Sequence, residues 1–357
     1  MWQISSMNPR RTTLQDVAKA LGVSHTTVAL ALKNHHRISP ARRQAVQRMA
    51  KKMGYLPDPF LSGLAAYRKQ HGAVRFQGLI AWVNHWDQPA QLRQFKEFDA
   101  YWRGAHAAAR SAGYQMEEIR WAMDYPPKRF ERILLARGVQ GLLLPPHHVL
   151  LDWGDFDWAK FSAIRFGMSV QNPDTNLVSA DHFRAVVMAI RKIHDYGYRK
   201  IGLVAGEHYD SRLGGSFTGG FCHAQITLKI PSPLPPLLTS YGVRDATAMK
   251  SQKIQLQQWL EAHQPDAVLT TDAEIPGLIQ ELGYKIPKDI AVAGTTIYDI
   301  PVDAGIDQHP EAIGRIAVEM LVKQIYVSER GEPSDPCRIL VESRWQDGKS
   351  LPRRFAA

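Results

Sequence analysis

Cysteine is nearly absent: Cys222 and Cys337 are the only two in 357 residues, and they stand 115 positions apart. That excludes a disulfide scaffold and a CxxC metal finger, and it fits a reducing compartment. Long apolar runs are absent as well. No stretch approaches 18 consecutive apolar residues, so no membrane span is expected. Met1 to Pro9 lacks the apolar core of a secretory signal, Met7 offers an alternative start, and the expected location is the cytoplasm. Catalytic and cofactor motifs are missing too. The glycine-rich stretch 214–220 does not follow a strand as a dinucleotide fingerprint does, and there is no Walker lysine motif. Neither GxSxG nor HExxH occurs. His147-His148 has no metal-ligand partner at helical spacing and reads as a solvated loop. No enzyme activity, cofactor or metal is expected.

Acids are scarce in one place only. Residues 1–70 hold twelve Lys and Arg against two acids, Asp16 and Asp58. This segment alone carries the whole net charge of +10, because residues 71–357 hold 32 bases and 32 acids. A small basic head on a neutral body points to nucleic-acid binding by the head. A disordered basic tail would lack apolar periodicity, and this head has it.

Leu14, Val17, Ala18 and Leu21 follow helical spacing, with Thr12 or Thr13 as N-cap. Gly22 breaks that helix. Ser24 then caps a second one carrying Val28, Ala31 and Leu32. Ser39-Pro40 opens a third, with Ala45, Val46, Met49 and Ala50 as its apolar stripe and Gly54 at its end. Counted from Leu14, the fifth residue is Ala18, the ninth Gly22 and the fifteenth Val28. A helix-turn-helix needs these types at these places. The fifth must be small where the second helix crosses, the ninth takes positive φ, and the fifteenth packs back on the first helix. The second helix would then enter the major groove with its N-terminal residues at the base edges.

Leu56-Pro57-Asp58-Pro59 forms a stiff linker, followed by a short apolar segment from Phe60 to Tyr67. Beyond about residue 75 the pattern alternates between strand and helix. Strands are predicted at 76–83, 114–120, 139–144, 161–166, 200–204, 267–270, 290–293 and 338–341. Helices are predicted at 97–112, 126–137, 182–196, near 216–228, and at 251–263, 274–282 and 310–328. A proline-rich loop separates two of these at 231–236. Such alternation means parallel sheets, and the restart after residue 178 suggests two α/β lobes with a cleft between them.

The run from Thr13 to Val28, then Ile38-Ser39 and Gly54-Tyr55-Leu56-Pro57-Asp58, resembles the head of the lactose-repressor (LacI/GalR) family of transcription regulators. Looser likeness continues through 265–268, 283–292, Asp307-Gln308-His309-Pro310 and Ile313-Gly314-Arg315. The resemblance implies a small all-α helix-turn-helix head and an α/β body of two parallel-sheet lobes similar to periplasmic sugar-binding proteins. The corresponding domains are 7–58 for DNA binding, 59–74 as hinge and 75–357 as sensor and dimer body. It further implies a homodimer, each head reading half of a near-palindromic double-stranded operator.

By match to the family motif, His25, Thr26 and Leu30 read bases. Thr13, Leu14, Ser24, Thr27, Ser39, Arg42 and Tyr55 hold phosphates. Leu64 is the minor-groove wedge of a hinge that becomes helical on DNA. Leu30 departs from a polar or basic residue and can touch only a thymine methyl or exclude a base. Ala29 departs from a common Ser, Asp58 from the usual Asn, and Gly63 lowers helix propensity in the hinge. In the body the likeness implies a small-molecule effector, a sugar above all, bound at strand C-termini. Trp86, in Trp82-Val83-Asn84-His85-Trp86, offers an aromatic face for sugar stacking while Trp82 reads as core. Arg212 matches an effector-binding Arg. Thr271-Asp272 stands in the place of an Asn-Asp pair. Gly294-Thr295-Thr296 replaces a Gly-Phe-Asp-like segment, leaving out the acid that commonly binds effector hydroxyls.

Overall fold

A computed structural model describes residues 14–32, 38–53, 76–122, 124–147, 151, 153–239 and 246–354. The chain divides into two compact units, Met1–Phe76 with Lys323–Glu329, and Gln77–Val322 with Arg330–Ala357.

In the first unit, α1 (Leu14–Leu21), α2 (His25–Leu32) and α3 (Pro40–Lys52) surround one small core. Val17, Ala18, Val28, Ala31, Val46 and Ala50 are buried in it. Ala18 and Val28 are the fifth and fifteenth residues of the motif, and both lie where the two helices meet. Gly22 has φ +61 with open space where a Cβ would stand, so the residue is there for its backbone conformation and not for lack of room. The turn is closed by Val23 N–H donating to Ala18 C=O at 3.1 Å. Ser39 and Pro40 occupy the N-cap and first position of α3, although the Ser39 hydroxyl makes no cap bond. Lys51 and Lys52 in its last turn sit at the negative end of the helix dipole.

The second unit contains two six-stranded sheets. Their strands are β1 (Gly78–Asn84), β2 (Tyr114–Arg120), β3 (Val139–Leu144), β4 (Ser162–Phe166), β5 (Asn176–Ala180), β6 (Ile201–Gly206), β7 (Leu237–Thr239), β8 (Ala267–Thr270), β9 (Ala291–Gly294), β10 (Gly305–Asp307), β11 (Arg338–Val341) and β12 (Arg344–Gln346). The first sheet runs β11-β5-β4-β3-β1-β2, all parallel. The second runs β12-β10-β9-β8-β6-β7, parallel except that β12 pairs antiparallel with β10. All seven residues of β1 are buried, as expected of a parallel strand covered on both faces. The connecting helices are α4 (Pro89–Gln94), α5 (Lys96–Ser111), α6 (Pro127–Ala136), α7 (His182–Asp195), α8 (Glu207–Arg212), α9 (Ser216–Thr227), α10 (Ala246–His263), α11 (Ile275–Glu281) and α12 (Pro310–Val327).

The two lobes are not two successive stretches of chain. After β5 the chain crosses to the second sheet, where α7 packs with β6 and α9. After β10 it returns, and the first turns of α12 lie on α5 of the first lobe. Gly104 and Gly314 make that approach possible: a Cβ at Gly314 would stand 2.1 Å from the Tyr101 carbonyl oxygen, and one at Gly104 would stand 2.0 Å from that of Glu311. β11 then completes the first sheet, and residues 341–344 lead back to β12 in the second. The strands β5, β7, β10 and β12 and the helices α4 and α8 lie outside the predicted elements. They are three to six residues long, too short for a periodic signal, and the four strands take their form from the pairing partner.

Candidate DNA-reading head and interlobe cleft

α2 starts where a capping hydroxyl starts it. Ser24 Oγ accepts the Thr27 N–H at 3.1 Å, and the two hydroxyls lie 2.8 Å apart. His25 and Thr26 are consequently the first two residues of α2, and Thr27 and Leu30 lie one turn along it, half-buried. Leu14 opens α1. Ser39 and Arg42 are exposed at the start of α3, with Arg48, Lys51 and Lys52 exposed further along. Thr13, Tyr55 and Leu64 lie outside the described residues, as does the hinge, 59–74.

In the second unit, the ends of the parallel strands bring the body's candidate residues together. Trp86 follows β1, and its indole packs on Phe95, Phe98 and His147 while its Nε1–H donates to the Pro146 carbonyl at 3.1 Å. It is 6% exposed; Trp82 is fully buried against Trp102 and Phe166. Arg212 ends α8, and its guanidinium donates across the lobes to the His147 carbonyl. Thr271 Oγ1 accepts the Gly206 N–H at 3.0 Å and donates to an Asp272 carboxylate oxygen at 2.7 Å. The other Asp272 oxygen accepts from Thr239 at 2.7 Å. Asp272 is wholly enclosed, and burial pushes its pKa up to about 6 against the lowering effect of those hydroxyls.

His147 corrects one sequence expectation. It is buried, its N–H donates to Ser169 Oγ at 3.1 Å, and its Nε2 lies 3.2 Å from the His85 carbonyl. The stacked aromatic residues of the first lobe fold over it, so it is not a solvated loop. His148 lies outside the described residues.

A second interlobe contact had no sequence signal beyond an ordinary helix start. The Asp299 carboxylate, from the second lobe, caps α5 of the first lobe by accepting the N–H groups of Lys96 at 2.8 Å and Glu97 at 3.2 Å. The Glu97 side chain is buried at the same junction and accepts the Tyr101 hydroxyl at 2.9 Å. Burial pushes its pKa up to about 7. The hydrogen bonds from Tyr101 and Thr296 oppose this, and the charges of Asp299 and Asp307 add to it. Two carboxylates from opposite lobes therefore share one small region. Among the described residues no group of three His, Cys, Asp or Glu side chains is arranged to hold a metal ion.

A three-helix head with a capped recognition helix, carried on a body of two α/β lobes, defines a DNA-binding regulator with a ligand-binding type of body. Residues 13–58 match the family of bacterial regulatory proteins of the lacI type, and residues 190–351 match the periplasmic binding protein-like domain. The chain thus carries a lacI-family helix-turn-helix domain and a periplasmic binding protein-like domain, as DNA-binding transcription regulators do. The HTH-type transcriptional regulator CelR of Thermobifida fusca is 24% identical to it, over 94% of this chain and 96% of CelR. Among solved structures, a CelR–cellobiose complex superposes with a TM-score of 0.59 at 21% identity, over 95% of this chain and all of that one. A Lac repressor dimer bound to operator and the anti-inducer ONPF superposes with a TM-score of 0.53 at 18% identity, over 96% of this chain and all of that one. No helix among the described residues is long and apolar enough to cross a membrane.

Proposed function

We propose that this regulator is a cytoplasmic, homodimeric repressor that works by binding and not by catalysis, and whose operator affinity is set by a small carbohydrate in the interlobe cleft. Residues 7–58 bind DNA, 59–74 form the hinge and 75–357 form the sensor and dimer body. His25, Thr26 and Leu30 read bases; Thr13, Leu14, Ser24, Thr27, Ser39, Arg42 and Tyr55 hold phosphates; Leu64 wedges the minor groove. Trp86, Arg212, Thr271 and Asp272 face the effector. The observation that carries ligand control is the pair of contacts across the cleft, Arg212 to His147 and Asp299 to the N-terminus of α5. A ligand that replaces either contact has a different affinity for the two lobe arrangements, which is what shifts an equilibrium. A sugar as that ligand is supported by the cellobiose held by the CelR neighbour.

A second reading rests on the missing acid. Thr295 and Thr296 stand where the family carries an acidic residue, and Asp272 already accepts hydroxyls on both oxygens. On that reading the protein is a dimeric activator or architectural DNA-binding protein whose body serves only to dimerise. One experiment separates the two. Operator DNA is selected from a random pool, and its affinity is measured against a panel of mono- and disaccharides, with thermal unfolding in parallel. A sugar at about 100 times its Kd adds roughly 2.7 kcal/mol of stability. Ligand control is expected to show as a shift in both readouts. Failure of every sugar in both assays would favour the second reading.

A further inference from the structure

Outside the cleft, α7, α9 and the crossing at 341–344 enclose a half-open groove of about 490 Å³. That is the size of an ordinary small-molecule pocket. Arg184 and Arg191 are seven residues apart on α7, so they stand on one face about 10 Å apart along its axis. Arg184 reaches Glu342 on the crossing at 3.2 Å, but both side chains are more than 60% exposed, so the pair holds weakly and exchanges readily. Arg191 has no acceptor among the described residues. On the crossing, Ser343 Oγ is shut off from solvent with no hydrogen-bond partner among the described residues. His223 of α9 stands over Phe183 with ring centroids 5.5 Å apart, and Phe183 is 39% exposed. The groove thus offers a guanidinium unclaimed among the described residues, a second one weakly held, and an aromatic face. Glu342, the one acid among the described residues that line it, already faces Arg184.

We propose that this groove is a second ligand site, separate from the interlobe cleft, for a small flat organic anion. The carboxylate or phosphate of the ligand accepts from Arg191 and Arg184, displacing Glu342, and its apolar body lies on Phe183. Charge-assisted donors of this kind are the strong ones. The walls also give the site a regulatory reach. α7 directly follows the first crossing between the sheets and Glu342 belongs to the last, so an occupant that displaces Glu342 from Arg184 releases a contact between two interlobe connections. The proposal does not depend on a sugar binding in the cleft.

The test uses the full chain and three probes at constant ionic strength, phenyl phosphate, benzoate and neutral phenol, followed by calorimetry and ligand-observed NMR. One or both anions are expected to bind once per chain, at least tenfold tighter than phenol. Preference between the two tells a phosphate ligand from a carboxylate. Arg191→Gln is expected to weaken the anion at least tenfold, with Arg191→Lys recovering part of the loss. Both changes lie on an exposed position, and an unchanged melting temperature without probe verifies the fold. Binding of neither anion, equal binding of phenol, or binding insensitive to Arg191→Gln would overturn the proposal. So would loss of binding in Arg212→Ala with Arg191 intact, which would place the anion in the cleft.

Discussion

Glu97 is a carboxyl buried where two lobes meet, and its proton records that burial. Folded, it titrates at about pH 7, against 4.5 for an exposed glutamate. Between those values the native chain holds a proton that the unfolded chain has released, so stability must fall as pH rises through that window and level off above it. Asp272 behaves the same way over a lower window, ending at about 6. Glu97→Gln keeps an acceptor for Tyr101 and removes the charge. Melting temperature between pH 6 and 8 is expected to fall for the wild type and stay nearly flat for the variant; parallel curves would refute the assignment. Glycine acts differently at this scale. At Gly314 the obstacle to a side chain is backbone of α5, which has no rotamer to swing away. Gly314→Ala should therefore cost about 1–3 kcal/mol by overpacking. That is a loss of several degrees in melting temperature for a body of this size.

On the proposed assignment, secondary-structure elements divide the labour of DNA recognition. α2 presents its first turn because Ser24 caps it, and α3 carries exposed cations because its buried stripe is only Val46 and Ala50. Phosphate contacts release counterions, and each neutralised phosphate contributes about −0.9 to the slope of log K against log salt. Arg42→Ala should thus flatten the slope by about 1 per head and leave base preference unchanged. His25→Ala should change the preferred base in a selection experiment and leave the slope nearly alone. Identical behaviour of the two variants would show that the division between base reading and phosphate binding is misplaced. In the body, α5 and α12 act as a pair held by two glycines, so the second lobe's route back to the first passes through a contact with little room to shift.

For the whole molecule, the charge is separated along the chain: +10 in the first 70 residues and none in the rest. Long-range attraction to DNA therefore belongs to the head alone. A fragment of residues 75–357 is expected to dimerise in sedimentation analysis and to leave duplex DNA unshifted in a gel. Retained DNA binding by that fragment would overturn the domain assignment. The three crossings between the sheets matter at the same scale. They make each lobe depend on chain from both sides of the other, so the body is expected to unfold as one cooperative unit in calorimetry rather than as two successive halves.

The head was legible in the sequence because its constraints are local. Ala18, Gly22, Ser24 and Val28 each answer to a neighbour within a few residues, through a helix crossing, a positive φ or a cap. The alternation of strands and helices was legible for the same reason, since long buried strands such as β1 and amphipathic helices such as α7 carry their own periodicity. Only the tertiary structure decided what lay between distant parts. β11 joins β5 from 161 residues away in the chain, Asp299 caps a helix that begins some 200 residues earlier, and His147 is covered by His85 and Trp86, which follow β1 some 60 residues before it. Nothing near Glu97 in the sequence marks it as a titrating group. Its proton is held by desolvation and by carboxylates from another lobe, and those are properties of a place in space rather than of a stretch of chain.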